Sequence, residues 1–101
     1  MIIFNTTYCV PETVFEKWNS WIQEFYIPRM LETGYFKEPR MCKVLNPAED
    51  SENSYSLQFH AESMDNLLSW NDTFGKEFEN DFSKKFGTEV LYFSTILEIL
   101  Y

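Results

Sequence analysis

Glycine, proline and cysteine are scarce in this chain of 101 residues, which has three, four and two of them. So little glycine and proline excludes a collagen-like or low-complexity protein. Cys9 and Cys42 match neither the spacing of a zinc site nor a redox Cys-x-x-Cys pair, so both read as small strand residues in a reducing compartment. Basic residues are also few. Eight Lys and Arg against sixteen Asp and Glu leave a net charge of −8, and the densest basic spot is Lys84-Lys85. A nucleic-acid binder needs cations to displace counterions from phosphates, so no DNA or RNA partner is expected. The acidic excess serves solubility. One histidine, His60, without neighbouring ligands makes no metal site.

Long apolar runs are missing too. None approaches the roughly 18–20 residues of a membrane span. The first ten residues lack a positive n-region and their apolar run breaks at Asn5-Thr6-Thr7, unlike a signal peptide. The N-x-T sequons at Asn5 and Asn71 therefore carry no glycosylation reading. There is no Gly-rich phosphate loop, nucleophile elbow or paired-histidine motif. The expectation is one cytoplasmic domain over residues 1–101, with no membrane partner and no cofactor.

Aromatic residues are abundant instead: ten Phe, six Tyr and three Trp, 19% of the chain, far too many for a disordered acidic protein. Their spacing predicts the elements. Residues 2–10 are β-branched and aromatic, a strand stopped by Pro11. Val14, Trp18, Trp21, Ile22 and Phe25 then recur at three- and four-residue steps, one face of a helix with Glu12 and Glu16 in its first turn. Pro28 breaks the hydrogen-bond ladder, so the helix kinks or restarts there, and Gly34 supplies the left-handed cap. Residues 40–46 read as a second strand, and 46–53 as a polar, mobile hairpin loop. Residues 54–61 alternate, with Tyr55, Leu57, Phe59 and Ala61 on one face and Ser54, Ser56, Gln58 and His60 on the other. Ser63 caps a second helix that carries Leu67, Trp70, Phe74, Phe78, Phe82 and Phe86 and ends at Gly87. Residues 89–100 form a long last strand.

The order β-α-β-β-α-β is the ferredoxin-like split βαβ arrangement, an α+β fold. Right-handed crossovers put both helices on one face of a four-stranded antiparallel sheet. With Ile2, Phe4 and Tyr8 toward the helices, Asn5 and Thr7 join Gln58 and His60 on the open face. The last strand is apolar on both sides, with Ser94 and Glu98 interspersed, so it expects cover on both sides. A second copy is the natural cover, giving a homodimer packed through the open sheet face with a semi-polar cavity there.

Several segments together carry a resemblance. They are Asn5-Thr6-Thr7, Trp18 and Trp21, the run Tyr26-Ile27-Pro28-Arg29-Met30-Leu31-Glu32-Thr33-Gly34-Tyr35-Phe36, Tyr55 to Phe59 around Gln58, and Phe-x-Thr-x-x-Glu from Phe93 to Glu98. Through them the chain resembles a family of short bacterial proteins of unknown function within the dimeric α/β-barrel superfamily. The resemblance implies the fold and a dimer. Where that family has His-Ile-Pro this chain has Tyr26-Ile27-Pro28. The chain is also similar in fold to antibiotic-biosynthesis-type monooxygenases and haem-degrading enzymes, whose first-strand Asn and second-helix Trp correspond to Asn5 and Trp70. The haem-degrading members need a histidine farther along that helix, where this chain has Asn80, Asp81 and Phe82.

Two functional readings follow. In the first, the dimer binds an apolar or aromatic small molecule among Asn5, Trp21, Tyr26, Gln58, His60 and Tyr92 in a cavity on the open sheet face. In the alternative, it is a cofactor-independent monooxygenase or isomerase in which Asn5 and His60 are the catalytic candidates, one polarising the substrate and the other moving a proton. The bland readings are a hydrogen-bonded strand residue for Asn5, a structural histidine for His60 and core packing for Trp18, Trp21 and Trp70. Whether Asn5, Gln58 and His60 converge on one concavity separates them.

Overall fold

A computed structural model describes residues 1–45 and 53–101. The loop expected at 46–53 lies, but for Asn53, outside the described residues. Strands β1 (Ile2–Val10), β2 (Lys37–Lys43), β3 (Asn53–Ala61) and β4 (Leu91–Glu98) form one sheet in the order β2-β3-β1-β4, with every neighbouring pair antiparallel. Two helical rods cover one face. This is the ferredoxin-like α+β fold read from the sequence.

The first rod runs from a 3₁₀ turn at Glu12–Val14 into helix α1 (Phe15–Trp21), a π-helical turn at Ile22–Tyr26 and helix α2 (Ile27–Glu32). Pro28 sits in the first turn of α2, where its missing N–H costs little, and the widened turn before it absorbs the lost bond. The rod thus restarts at the proline, as the sequence suggests. Gly34 closes it at φ +83°.

The second rod is built alike: α3 (Met64–Trp70), a π turn at Asn71–Gly75 and α4 (Lys76–Phe86). Ser63 caps it by accepting from the Asn66 backbone N–H at 3.2 Å. Trp70, Phe74, Phe78, Phe82 and Phe86 follow a four-residue step, which drifts by about 40° per step on a 3.6-residue helix. The wider π turn takes up part of that drift, so Trp70, Phe78, Phe82 and Phe86 all stay buried and Phe74 half-buried.

Between rods and sheet lies an aromatic core. Trp18 is wholly buried, its ring 5.3 Å from Tyr8 and 5.2 Å from Tyr55. Arg29 ties the rods together. It pairs with Glu77 and, at 3.0 Å, with Asp81, and its guanidinium lies 5.1 Å from the Phe25 ring and 4.9 Å from Phe78. Half-exposed ion pairs contribute at most about 1 kcal/mol each, so the ring contacts matter as much as the charges.

Two strands differ from the sequence reading. β2 runs over Lys37–Lys43, not residues 40–46; it starts early because an edge strand tolerates Pro39, with a register shift between Lys37 and Arg40. β4 is shorter than 89–100, since Glu89 is held in the turn by the Phe86 carbonyl. The rods leave β4 largely uncovered. Leu91, Phe93 and Leu97 on the open face are 63%, 59% and 42% exposed.

Candidate functional site

The cross-strand register sorts the sheet into two faces. Ile2, Phe4, Thr6, Tyr8 and Val10 of β1 face the rods, and so do Tyr92, Ser94 and Ile96 of β4. Asn5 pairs with Gln58 on the open face, and Gln58 in turn with Arg40, while Thr95 completes the row on β4. Asn5 is held there by its neighbours. Its Oδ1 accepts from the Ser56 hydroxyl, and its Nδ2 donates to Thr7 Oγ1 at 3.3 Å. His60 lies on the same face, two residues beyond Gln58 and paired across to Ile3.

The sequence showed no partner for His60, and the fold supplies one. Glu38 Oε2 lies 3.1 Å from His60 Nδ1. Glu38 adopts φ +52°, a left-handed conformation that glycine favours, at the irregular start of β2. A carboxylate against Nδ1 favours the proton on that nitrogen and leaves Nε2 to accept. The strain gives a test. Glu38→Gly relieves a left-handed backbone at a cost in unfolded-chain entropy, so a net stabilisation of about 0.5–1 kcal/mol is expected. Urea unfolding of the two proteins measures it, and a lower midpoint in the variant would show that the His60 contact outweighs the strain.

The cavity opens on the other face. Its volume is about 350 Å³, and it lies between the second rod and the β1–β4 half of the sheet. Its floor is three cross-strand rows: Phe4 with Ile96, Thr6 with Ser94, and Tyr8 with Tyr92. The Thr6 and Ser94 hydroxyls are 3.2 Å apart. Met64, Leu67, Leu68 and Trp70 roof one end, and Phe78, Glu79 and Phe82 the other. The π turns shape it: one brings Tyr26 to the wall, the other Asn71 and Gly75. A Cβ on Gly75 would meet Asn71 Oδ1 at 2.5 Å, so glycine there leaves room for the amide.

The chemistry of this lining is that of protonated hydroxyls. Burial pushes Tyr8 well above the ordinary phenol range, helped by the nearby Tyr26 and Tyr92 hydroxyls, and pushes Tyr26 up as well. Tyr92 is raised by burial and by the Glu79 carboxylate. Trp70 Nε1 is buried without a hydrogen-bond partner among the described residues.

Of the six ligand-binding candidates, Tyr26 and Tyr92 line this cavity. Trp21 stacks behind Tyr26 with ring centroids 5.3 Å apart. Asn5, Gln58 and His60 lie together on the opposite face. The helix-side cavity is thus distinct from the one expected between two copies on the open sheet face, which a single chain does not form. Thr6, Tyr8, Glu79 and Ser94 line the helix-side cavity and were not among the site candidates, although Tyr8 was expected on the helix side. The signal was present in the even positions of β1 and β4, which pair polar and aromatic residues row by row.

A family model for a domain of unknown function, DUF4286, matches residues 1–100. The chain belongs to that family. No curated protein matches this chain. In fold it is similar to an ethyl tert-butyl ether d (EthD) family protein from Bacillus halodurans, with a TM-score of 0.74 and 13% identity over 99% of this chain and all of that one. A dimeric ferredoxin-like protein from an uncultured marine organism gives 0.73 and 13%, covering 99% and 94% of the two chains. A variant of MhuD with two manganese protoporphyrin IX molecules per active site gives 0.67 and 13%, covering 100% and 96%. At such identities the likeness is one of fold.

A haem does not fit the residues of the DUF4286 cavity. Its lining, among the described residues, has no His or Cys to ligate iron and no Lys or Arg to meet propionates; its one thioether, Met64, has no second strong ligand opposite it, and burial disfavours ionisation of its phenols. No cluster of three or more His, Cys, Asp or Glu placed to hold a metal occurs among the described residues, and no helix there is long and apolar enough to cross a membrane.

Proposed function

We propose that this DUF4286 chain is a homodimeric cytoplasmic protein that binds an apolar or aromatic small molecule in the cavity between its second helical rod and the β1–β4 half of the sheet. The observation that carries the reading is the cavity itself, walled by aromatic rings and crossed by a line of hydroxyls. Pockets of this size, mostly apolar with a few convergent polar groups, are the usual form of small-molecule sites. The dimer rests on β4. Burying a Leu or Phe side chain is worth about 1.5–3 kcal/mol, and Leu91, Phe93 and Leu97 together leave that gain unclaimed on the open face. A second copy laid against that face covers this strip and encloses the Arg40–Gln58–Asn5–Thr95 row between two sheets.

Native mass spectrometry of gently purified protein tests both halves. A mass near twice 12.1 kDa, and an aromatic adduct released on denaturation, are expected. A bare monomer at micromolar concentration would overturn the dimer.

One observation favours a second reading, a cofactor-independent monooxygenase or isomerase. The Glu38 carboxylate, 3.1 Å from Nδ1, gives His60 an acidic partner on the face that also carries Asn5 and Gln58, the pairing that a general base would use. In that case His60→Ala abolishes turnover while leaving adduct binding in the helix-side cavity intact.

A further inference from the structure

The helix-side cavity is graded, and the grading selects a ligand class. Successive rows on its floor are about 6.6 Å apart at the usual rise of a strand, so the three rows span roughly 13 Å. At one end Phe4 and Ile96 lie beneath α3, with the Phe4 and Trp70 rings 5.3 Å apart. The middle row is the Thr6–Ser94 hydroxyl pair. At the far end Tyr8 and Tyr92 meet Phe82, whose ring is 4.9 Å from Tyr92 and 5.9 Å from Tyr8. That end is the polar one, with Tyr26 on its wall. The single charged group in the lining, among the described residues, is Glu79.

We infer that this cavity takes an uncharged aromatic molecule about two fused rings long, its hydroxyl or carbonyl group at the tyrosine end, and that it rejects the corresponding anion. This rests on the small-molecule reading above and adds the charge and polarity of the ligand. Hydroxyls of tyrosine, serine and threonine both donate and accept, so they satisfy an alcohol, phenol or amide without a counter-charge. An anion there would have to shed its water facing Glu79 and no cation, and an unpaired buried charge is costly. The overall charge of −8 adds a repulsive field of the same sign.

Three probes that share the naphthalene ring and carry a neutral, negative or positive 2-substituent decide it: 2-naphthol, 2-naphthoate and 2-naphthylmethylammonium, titrated by calorimetry at pH 7 into the intact protein and into Glu79→Gln. The expected order has 2-naphthol binding at least tenfold more tightly than 2-naphthoate. Glu79→Gln, an isosteric change at the solvent-exposed rim of the cavity, should narrow that gap severalfold. It should also weaken the ammonium relative to the naphthol. Tyr92→Phe should weaken 2-naphthol and leave naphthalene itself unchanged. Naphthoate binding as tightly as naphthol would overturn the charge selection while leaving the cavity reading standing. Failure of all three probes would overturn both.

Discussion

Trp18→Ala is expected to lower the unfolding free energy by about 3–5 kcal/mol, which for a domain of this size is a large share of its stability. Trp18 sits on α1 with no exposed surface, its ring 5.9 Å from Phe15 as well as against Tyr8 and Tyr55. It therefore joins the first rod to both central strands. Deleting the indole leaves a gap bounded by rings that cannot collapse without moving β1, so both the transfer and the cavity costs are incurred. Trp18→Phe should behave differently. Trp18 Nε1 is buried without a hydrogen-bond partner among the described residues, and an unsatisfied donor costs about 1–3 kcal/mol. Phenylalanine removes that donor along with part of the ring, and the two effects offset, for a net loss under about 2 kcal/mol. Urea unfolding followed by circular dichroism measures both variants. Equal losses in the two would mean that the indole N–H is satisfied in solution. A loss below about 1 kcal/mol for the alanine would mean that the rods do not rest on Trp18.

The same residue shows why the fold was legible in the sequence. Trp18 belongs to a 3.6-period apolar face, β3 alternates without interruption, and Ser63, Gly34 and Gly87 mark helix ends by their own backbone chemistry. Each local signal agrees with the global arrangement. The π turns left a weaker trace. The Trp70-to-Phe86 step of four has two physical solutions, a slow wind around a regular helix or a wider turn that resets it, and sequence spacing alone does not choose between them. The start of β2 was hidden for another reason. Lys37-Glu38-Pro39 has poor strand chemistry, and only pairing with β3 draws it into the sheet.

The site was legible face by face but not as a place. Parity alone puts Asn5, Gln58 and His60 on one side of the sheet. What spacing cannot show is how far the rods reach across the strands. They stop short of β4, and the space they leave on the helix side is the cavity. Glu38 is a further case: its approach to His60 depends on a left-handed backbone at a bulge, which no pattern in Lys-Glu-Pro announces.

The cavity also sets the protein's behaviour in alkali. Tyr8 and Tyr26 are almost fully buried, at 3% and 8% exposure, and burial holds both phenols protonated beyond their ordinary range. Below about pH 10 folded and unfolded chains both keep these protons, and the full stability is present. Above it the unfolded chain gives them up while the folded chain retains them, so the unfolded state is favoured as pH rises. Each such group tilts the balance by about 1.4 kcal/mol per pH unit, and the two together by about 2.7. A domain with ordinary stability should therefore unfold within a few units above pH 10. In an ultraviolet titration of tyrosinate, Tyr8 and Tyr26 should stay silent until the circular dichroism signal is lost, then ionise together. Smooth ionisation near pH 10 in a chain that is still folded would show water at their hydroxyls. Added 2-naphthalenemethanol, an alcohol that stays uncharged in this range, should raise the unfolding pH, because a ligand that binds only the folded chain stabilises it. Tyr8→Phe should flatten the alkaline slope by about half while leaving the neutral fold intact, which separates the proton linkage from general loss of packing.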